Sequence, residues 1–228
     1  MNNRVSFDPV WEQKYEQGHE QRYPWDTVVS FVFRNSPRDK PRNEVSILEV
    51  GCGTAANLWF AAVEGFRVAG VDGSIHAITK ARRRFADEKL EGEFRVEDFT
   101  SLSFDDDSFD LVIDRAALTC CGATGLTSAV NEIHRVLHPG GKFFFNPYAS
   151  NHSCAKFGRI GPDGVVLDIT EGSLAGAGQI HFVRREEIDE LFGVGWSLLS
   201  VKGLEITDHL GDSDHRHAEW RVIAQKTG

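Results

Sequence analysis

The residues best suited to chemistry are Glu49, Gly51, Cys52 and Gly53, then Asp72 with Gly73 and Ser74, then Asp98 and Phe99. Gly51 and Gly53 can take backbone angles closed to other residues and let a ligand approach the main chain. A helix starting just after such a turn points its free N–H groups and positive dipole end at that ligand. Asp72 lies about twenty residues further on, where an acid at the end of the next strand accepts hydrogen bonds from ribose hydroxyls. This much fits any nucleotide-type cofactor, NAD included, with Ala56 standing for a third glycine. Glu49 and Asp98 narrow the choice. A carboxylate one turn before the glycines repels a pyrophosphate and attracts an ammonium. Asp98, at the end of a third strand, suits the exocyclic amine of an adenine, and Phe99 adds an apolar surface. The set describes an adenosine carrying an amino-acid tail and no phosphate.

The elements that must position these residues are legible around them. Val45–Val50 is a short apolar strand, 55–64 a helix stopped by Gly65, and Phe66–Val71 a second strand. Ser74 is placed to cap a helix that runs to about Leu90, with Ile75, Ile78, Ala81 and Phe85 on one face. Strands follow at 94–96 and 109–113. A helix carries Leu126, Val130, Ile133 and Leu137 at helical spacing and is ended by Pro139-Gly140-Gly141, ahead of a strand at 142–146. Such alternation implies a parallel sheet with right-handed crossovers. Residues 147–180 break it. They hold six glycines between Gly158 and Gly178 and read as a mobile insertion, with a short strand at 165–169. A helix at 184–192 and an antiparallel pair at 196–206 and 217–224 close the chain. The whole reads as one domain over 1–228, with a helical N-terminal piece and linker at 1–44 broken by Gly18 and Pro24.

Composition excludes several classes. The formal charge is −9, which disfavours nucleic acid as a partner, and the basic run Lys80–Arg84 reads as a solvated helix face. Cys52, Cys120, Cys121 and Cys154 form no C-x-x-C pair, so neither a zinc site nor a disulfide framework is expected. His215-x-His217 lacks a third ligand at fixed spacing, so no metal is expected. Met1–Phe7 is polar, unlike a signal peptide, and no apolar run approaches the ~18 residues of a membrane span. A cytoplasmic setting, a monomer or homodimer, and no membrane partner are expected.

With these residues together the chain resembles the class I methyltransferases that use S-adenosylmethionine (SAM). ILEVGCGTA is similar to their first motif, Asp72 to their ribose-binding acid, Asp98-Phe99 to their adenine-contact pair, and FDLVIDR at 109–115 to their fourth-strand motif. EIHRVLHPGG at 132–141 is similar to the helix and turn before their fifth strand. The resemblance implies a doubly wound, mostly parallel sheet of seven strands with an antiparallel last strand. It implies SAM as cofactor and a small-molecule methyl acceptor, methylated on O or N by in-line displacement. It places Asp114 and Arg115 at the methionine end of the cofactor. It makes the N-terminal piece a lid, with Tyr15 and Trp25 presenting aromatic faces to the sulfonium, and residues 147–180 the opposite, substrate-side wall. A catalytic base is needed only when the nucleophile starts protonated at high pKa. Candidates are His152 and His181, then His209, with His76 on the cofactor side. Two other readings fit the residues less well: an NAD-type oxidoreductase, and a module that binds SAM or a partner without catalysis.

Overall fold

The computed structural model describes residues 6–210 and 215–228. Met1–Val5, most of the stretch read for a signal peptide, lies outside the described residues. Two helices lead the chain, α1 (Pro9–Glu16) and α2 (Asp26–Asn35). Asp8 caps α1 by accepting from Val10 N, and Pro9 opens the helix where no N–H is needed. Next come β1 (Ser46–Val50), α3 (Ala56–Val63), β2 (Arg67–Asp72), α4 (Ile75–Asp87), β3 (Glu93–Val96) and β4 (Phe109–Asp114). They are followed by α5 (Ala123–Val136), β5 (Leu137–Phe145), three short strands β6 (Arg159–Ile160), β7 (Val165–Leu167) and β8 (Ile180–His181), then α6 (Arg185–Leu191), β9 (Trp196–Thr207) and β10 (Arg216–Lys226).

The large sheet has seven strands in the order β3-β2-β1-β4-β5-β10-β9. β1 to β5 run parallel, and β10 is antiparallel to both neighbours. The central strands are apolar on both faces because each face packs on helices. Leu48, Val50, Val112 and Phe143 meet α5 and α6 on one side, while Ile47, Leu111 and Phe144 meet α2, α3 and α4 on the other. The order reverses between β1 and β4. In sheets of this kind the ligand crevice opens at that switch, beyond the C-terminal ends of the strands.

Several expectations are corrected here. α5 ends at Val136, before Pro139-Gly140-Gly141, and those residues lie inside β5. There the register jumps from Phe109↔Leu137 to Leu111↔Lys142, so the proline leaves the ladder in a bulge, where its missing N–H costs no pairing. Ile75 is exposed; Ala77 replaces it on the buried face of α4. Residues 147–180 are organised. β6, β7 and β8 form an antiparallel sheet, and Cys154, Ile169, Leu174, Ala177, Ile180 and Phe182 build a separate apolar cluster against Trp11 and Tyr148. Strands of two or three residues are too short for periodicity to reveal. Asp110 braces structure, accepting from Ser46 N at 2.9 Å and Lys40 Nζ at 2.6 Å. Arg135 of EIHR donates to Leu102 O and Phe104 O and ties down the chain between β3 and β4.

Candidate active site

A cavity of about 380 Å³ opens at the switch point between β1 and β4, within the ~300–1,000 Å³ usual for small-molecule and cofactor sites. Its floor is the turn after β1. Gly51 and Gly53 both have positive φ, 63° and 53°. A Cβ on Gly51 would sit 2.1 Å from the Ala117 Cβ, so only glycine fits. Two residues on from Gly53, Ala55 is also left-handed and no side chain caps α3, which leaves the first amides of that helix, at Ala56 and Asn57, without a side-chain partner beside the cavity these residues line.

Two buried acids meet this floor. Asp72, at the end of β2, accepts from Gly53 N at 2.9 Å and Ser74 N at 2.8 Å. Burial outweighs these bonds and lifts its carboxyl to about 6. Glu49, on β1, accepts from Asn57 Nδ2 at 2.6 Å through Oε1, while its buried Oε2 has no partner among the described residues. Burial, with Asp114 and Asp72 nearby, pushes it up to about 8. An orphaned carboxylate oxygen on a cavity wall calls for a cationic donor. An ammonium group supplies one, so the residues present fit an amino-acid tail.

The roof comes from the N-terminal piece and residues 173–180. The Tyr15 hydroxyl covers Gly53, 2.6 Å from where a Cβ would stand, and Phe7 lies on Gly73 in the same way at 2.3 Å. Asp8 accepts from Gln179 N at 2.9 Å, and Thr54 Oγ1 donates to Gln21 O at 3.1 Å. Trp25 lines the wall, its N–H donating to Asn57 Oδ1 at 2.9 Å, with the Arg115 guanidinium 4.1 Å from its ring centre.

The structure thus brings Glu49, Gly51, Cys52, Gly53, Asp72, Gly73, Phe99, Arg115, Tyr15 and Trp25 to one cavity. The Cys52 thiol itself turns under the loop against Gly70. Other predicted residues are not on its wall. The Ser74 hydroxyl caps α4 by accepting from Ala77 N at 3.0 Å. Asp98 is held by Thr100 N at 2.8 Å and Thr100 Oγ1 at 2.7 Å and accepts from Ser6 Oγ, which places it in a turn beside the cavity. Asp114 is fully buried and braces the following turn, accepting from Ala117 N and Leu118 N at 2.8 and 3.0 Å; its other oxygen is unpaired.

Neither candidate base reaches the cavity. His152 accepts from Cys154 N at Nδ1, so a neutral ring carries its proton on Nε2 and is a donor, not a base. Burial and His217 lower it to about 4. His181 joins Gly164 O to Glu187 Oε1, linking the small sheet to α6. His76 pairs with Glu12 at 2.5 Å, and His209 is exposed. His217 bonds Glu219, and no group of three metal-binding side chains occurs among the described residues. Among the lining residues that the sequence did not point to are Asn57, Phe7, Trp11 and His19, whose imidazole is lowered by burial and by Lys14 and Lys80. Only Asn57, one residue into the helix after the glycine turn, carried a local signal.

Residues 47–141 match the family described as Methyltransferase domain. Over that stretch the chain resembles methyltransferase domains. An uncharacterized methyltransferase of Bacillus subtilis is 33% identical over 101 residues, 44% of this chain and 42% of that protein. The O-methyltransferase cnsE of Penicillium expansum is 27% identical over 190 residues, 76% of this chain and 66% of that one. The crystal structure of a SAM-dependent methyltransferase from Methanosarcina mazei superposes with a TM-score of 0.70 at 22% identity, covering 90% of this chain and 99% of that one. This chain thus spans about two fifths of the length of its Bacillus relative. That match and the orphaned Glu49, which a pyrophosphate cannot satisfy, both speak against the NAD reading. No helix among the described residues is long and apolar enough to cross a membrane.

Proposed function

We propose that this chain transfers the methyl group of SAM to an oxygen or nitrogen of a small-molecule acceptor. The observation that carries the reading is one roofed cavity lined both by the unsatisfied Glu49 carboxyl and by Tyr148, Leu174 and Ile180. A roof of two segments joined through Asp8 and Gln179 suits a small acceptor better than a peptide or nucleic acid strand.

When bound, the cofactor supplies an electrophilic methyl on a sulfonium. The chain's residues bind and orient. Glu49 Oε2 receives the ammonium, and Asp72, with lone pairs left after its two backbone bonds, receives the ribose hydroxyls. The uncapped amides of α3 face the cofactor's carboxylate. Gly73, Phe7 and Phe99 enclose the base end. Tyr15 and Trp25 seal the roof and exclude water. Holding nucleophile and methyl together in a dry site is itself worth several kcal/mol, on the order of 7–11 for ideal alignment. No side-chain base is required for an amine acceptor; for a hydroxyl, His19 is the neutral imidazole on the wall. The free cysteines suit a reducing, cytoplasmic setting.

Calorimetry with S-adenosylhomocysteine (SAH), followed by labelled-methyl transfer across a panel of small alcohols, phenols, carboxylates and amines, tests the reading. Saturable SAH binding and transfer to at least one small acceptor are expected. NAD(H) binding without SAH binding, or transfer to protein alone, overturns it.

A further inference from the structure

The cavity that holds Glu49 also holds a cation that is only partly satisfied. Arg115 follows β4 and lines the cavity with its side chain only 11% exposed. Trp25 covers one face of its guanidinium. Its ion pair, Nη2 to Glu219 Oε2, is long at 3.3 Å, and its buried Nε has no hydrogen-bond partner among the described residues. Glu219 does not belong to Arg115 alone. It also holds Arg221 Nε at 2.7 Å and His217 Nε2 at 3.2 Å. One buried carboxylate therefore faces two guanidiniums.

Tyr148 stands beside it. Its backbone bridges to Glu219, the residue whose carboxylate meets Arg115, so one residue of β10 sets both side chains at one place. Tyr148 lines the same cavity, close enough for the Arg115 charge to act on its phenol. Desolvated donors without acceptors are costly, and a planar guanidinium fork beside a phenol matches an oxyanion. The cofactor's own carboxylate is served elsewhere, by the uncapped start of α3.

Resting on the methyltransferase reading above, we infer that Arg115 and Tyr148 form an oxyanion subsite, so that the methyl acceptor carries a carboxylate or phosphate group. Leu174, Ala177 and Ile180, which line the same cavity, take its apolar body. The negative group docks on Arg115, and the nucleophile elsewhere on the molecule is thereby turned toward the cofactor.

The test titrates benzoate, phenyl phosphate and neutral benzyl alcohol into the protein, with and without saturating SAH, for the native chain, Arg115→Gln, Arg115→Lys and Tyr148→Phe. The anions are expected to bind the native chain about tenfold or more tighter than the alcohol, the scale of a charge-assisted hydrogen bond. Arg115→Gln removes that preference. Arg115→Lys keeps a charge for Glu219 if the glutamine variant folds poorly, and it loses most of the benzoate preference because an ammonium cannot offer a bidentate fork. Tyr148→Phe lowers the preference partially. Equal binding of anions and alcohol by the native chain overturns the inference. So does an Arg115→Gln variant that loses SAH tenfold while keeping its anion preference, which assigns the arginine to the cofactor's carboxylate. Anion preference without any SAH binding supports the subsite and instead removes the methyltransferase reading.

Discussion

Glu49 sets a sharp pH signature for cofactor binding. In the free protein its carboxyl titrates at about 8, because burial penalises its ionised form and only Asn57 compensates. Binding an ammonium requires the ionised form, so below that value a proton must leave Glu49 as ligand enters. Each pH unit below 8 then weakens binding tenfold, about 1.4 kcal/mol. From about pH 8 to about pH 6 the Kd of SAH rises roughly fiftyfold, about 2.3 kcal/mol, and above about pH 9 it levels off. Isothermal titration in buffers of different ionisation enthalpy measures both the slope and the proton released. In Glu49→Gln the slope disappears, and affinity at pH 8 falls by about 1.5–3 kcal/mol, the worth of a hydrogen bond to a charged group. Stability of the free protein moves the other way. A carboxyl whose folded pKa is raised keeps a proton that the unfolded chain releases above 4.5, so native stability falls as pH rises from there to about 8. Glu49→Gln therefore melts higher than the native chain at pH 8, and the gap closes toward pH 4.5. A pH-independent Kd for the native chain, or the same slope in Glu49→Gln, refutes the reasoning.

Asp72→Ala removes the acceptor for the ribose hydroxyls and weakens SAH by about 1.5–3 kcal/mol, seen as a higher Kd; an unchanged Kd sinks the assignment. Gly51→Ala must hold a left-handed residue against the Ala117 Cβ 2.1 Å away, so it costs about 1–3 kcal/mol of stability and most of the SAH affinity, both readable in thermal shifts with and without ligand. His152→Gln slows methyl transfer less than tenfold at pH 7, because its Nδ1 is committed to Cys154 N; a loss of a hundredfold or more, the least a general base supplies, restores it as a catalytic residue.

What could be read in the sequence is what short-range chemistry determines. The strands around the cavity are continuous apolar runs, and Gly51, Gly53 and Asp72 sit at turns whose strand–turn–helix context dictates their direction. Ser74 shows the limit of this reading. It lies beside Asp72, donating its N–H to that carboxylate, but its hydroxyl is claimed by the start of α4. Asp98 and Asp114 likewise brace their own turns, since a carboxylate at a strand end serves its turn as readily as a ligand.

The acceptor wall was illegible for a different reason. The fourth-strand motif FDLVIDR points Arg115 to the methionine end of a cofactor and says nothing of an acceptor. The surroundings of Arg115 arise from Glu219 on β10, Trp25 before α2 and Tyr148 after β5, which meet only when the sheet closes. The same holds for the roof, where Ser6 reaches Asp98 and Asp8 reaches Gln179. Half of the cavity that binds a shared cofactor is thus written in one contiguous stretch, the one the family match covers. Of the half proposed to select an acceptor, Arg115 lies inside that stretch, while Tyr148, Leu174, Ala177, Ile180 and Glu219 lie outside it. Removing one far partner should expose this division. Glu219→Gln leaves Arg115 and Arg221 without their carboxylate, while Glu49, Asp72 and the glycine turn share no atom with it. Its effect therefore falls on acceptor selection and fold stability, with the pH slope of SAH binding kept.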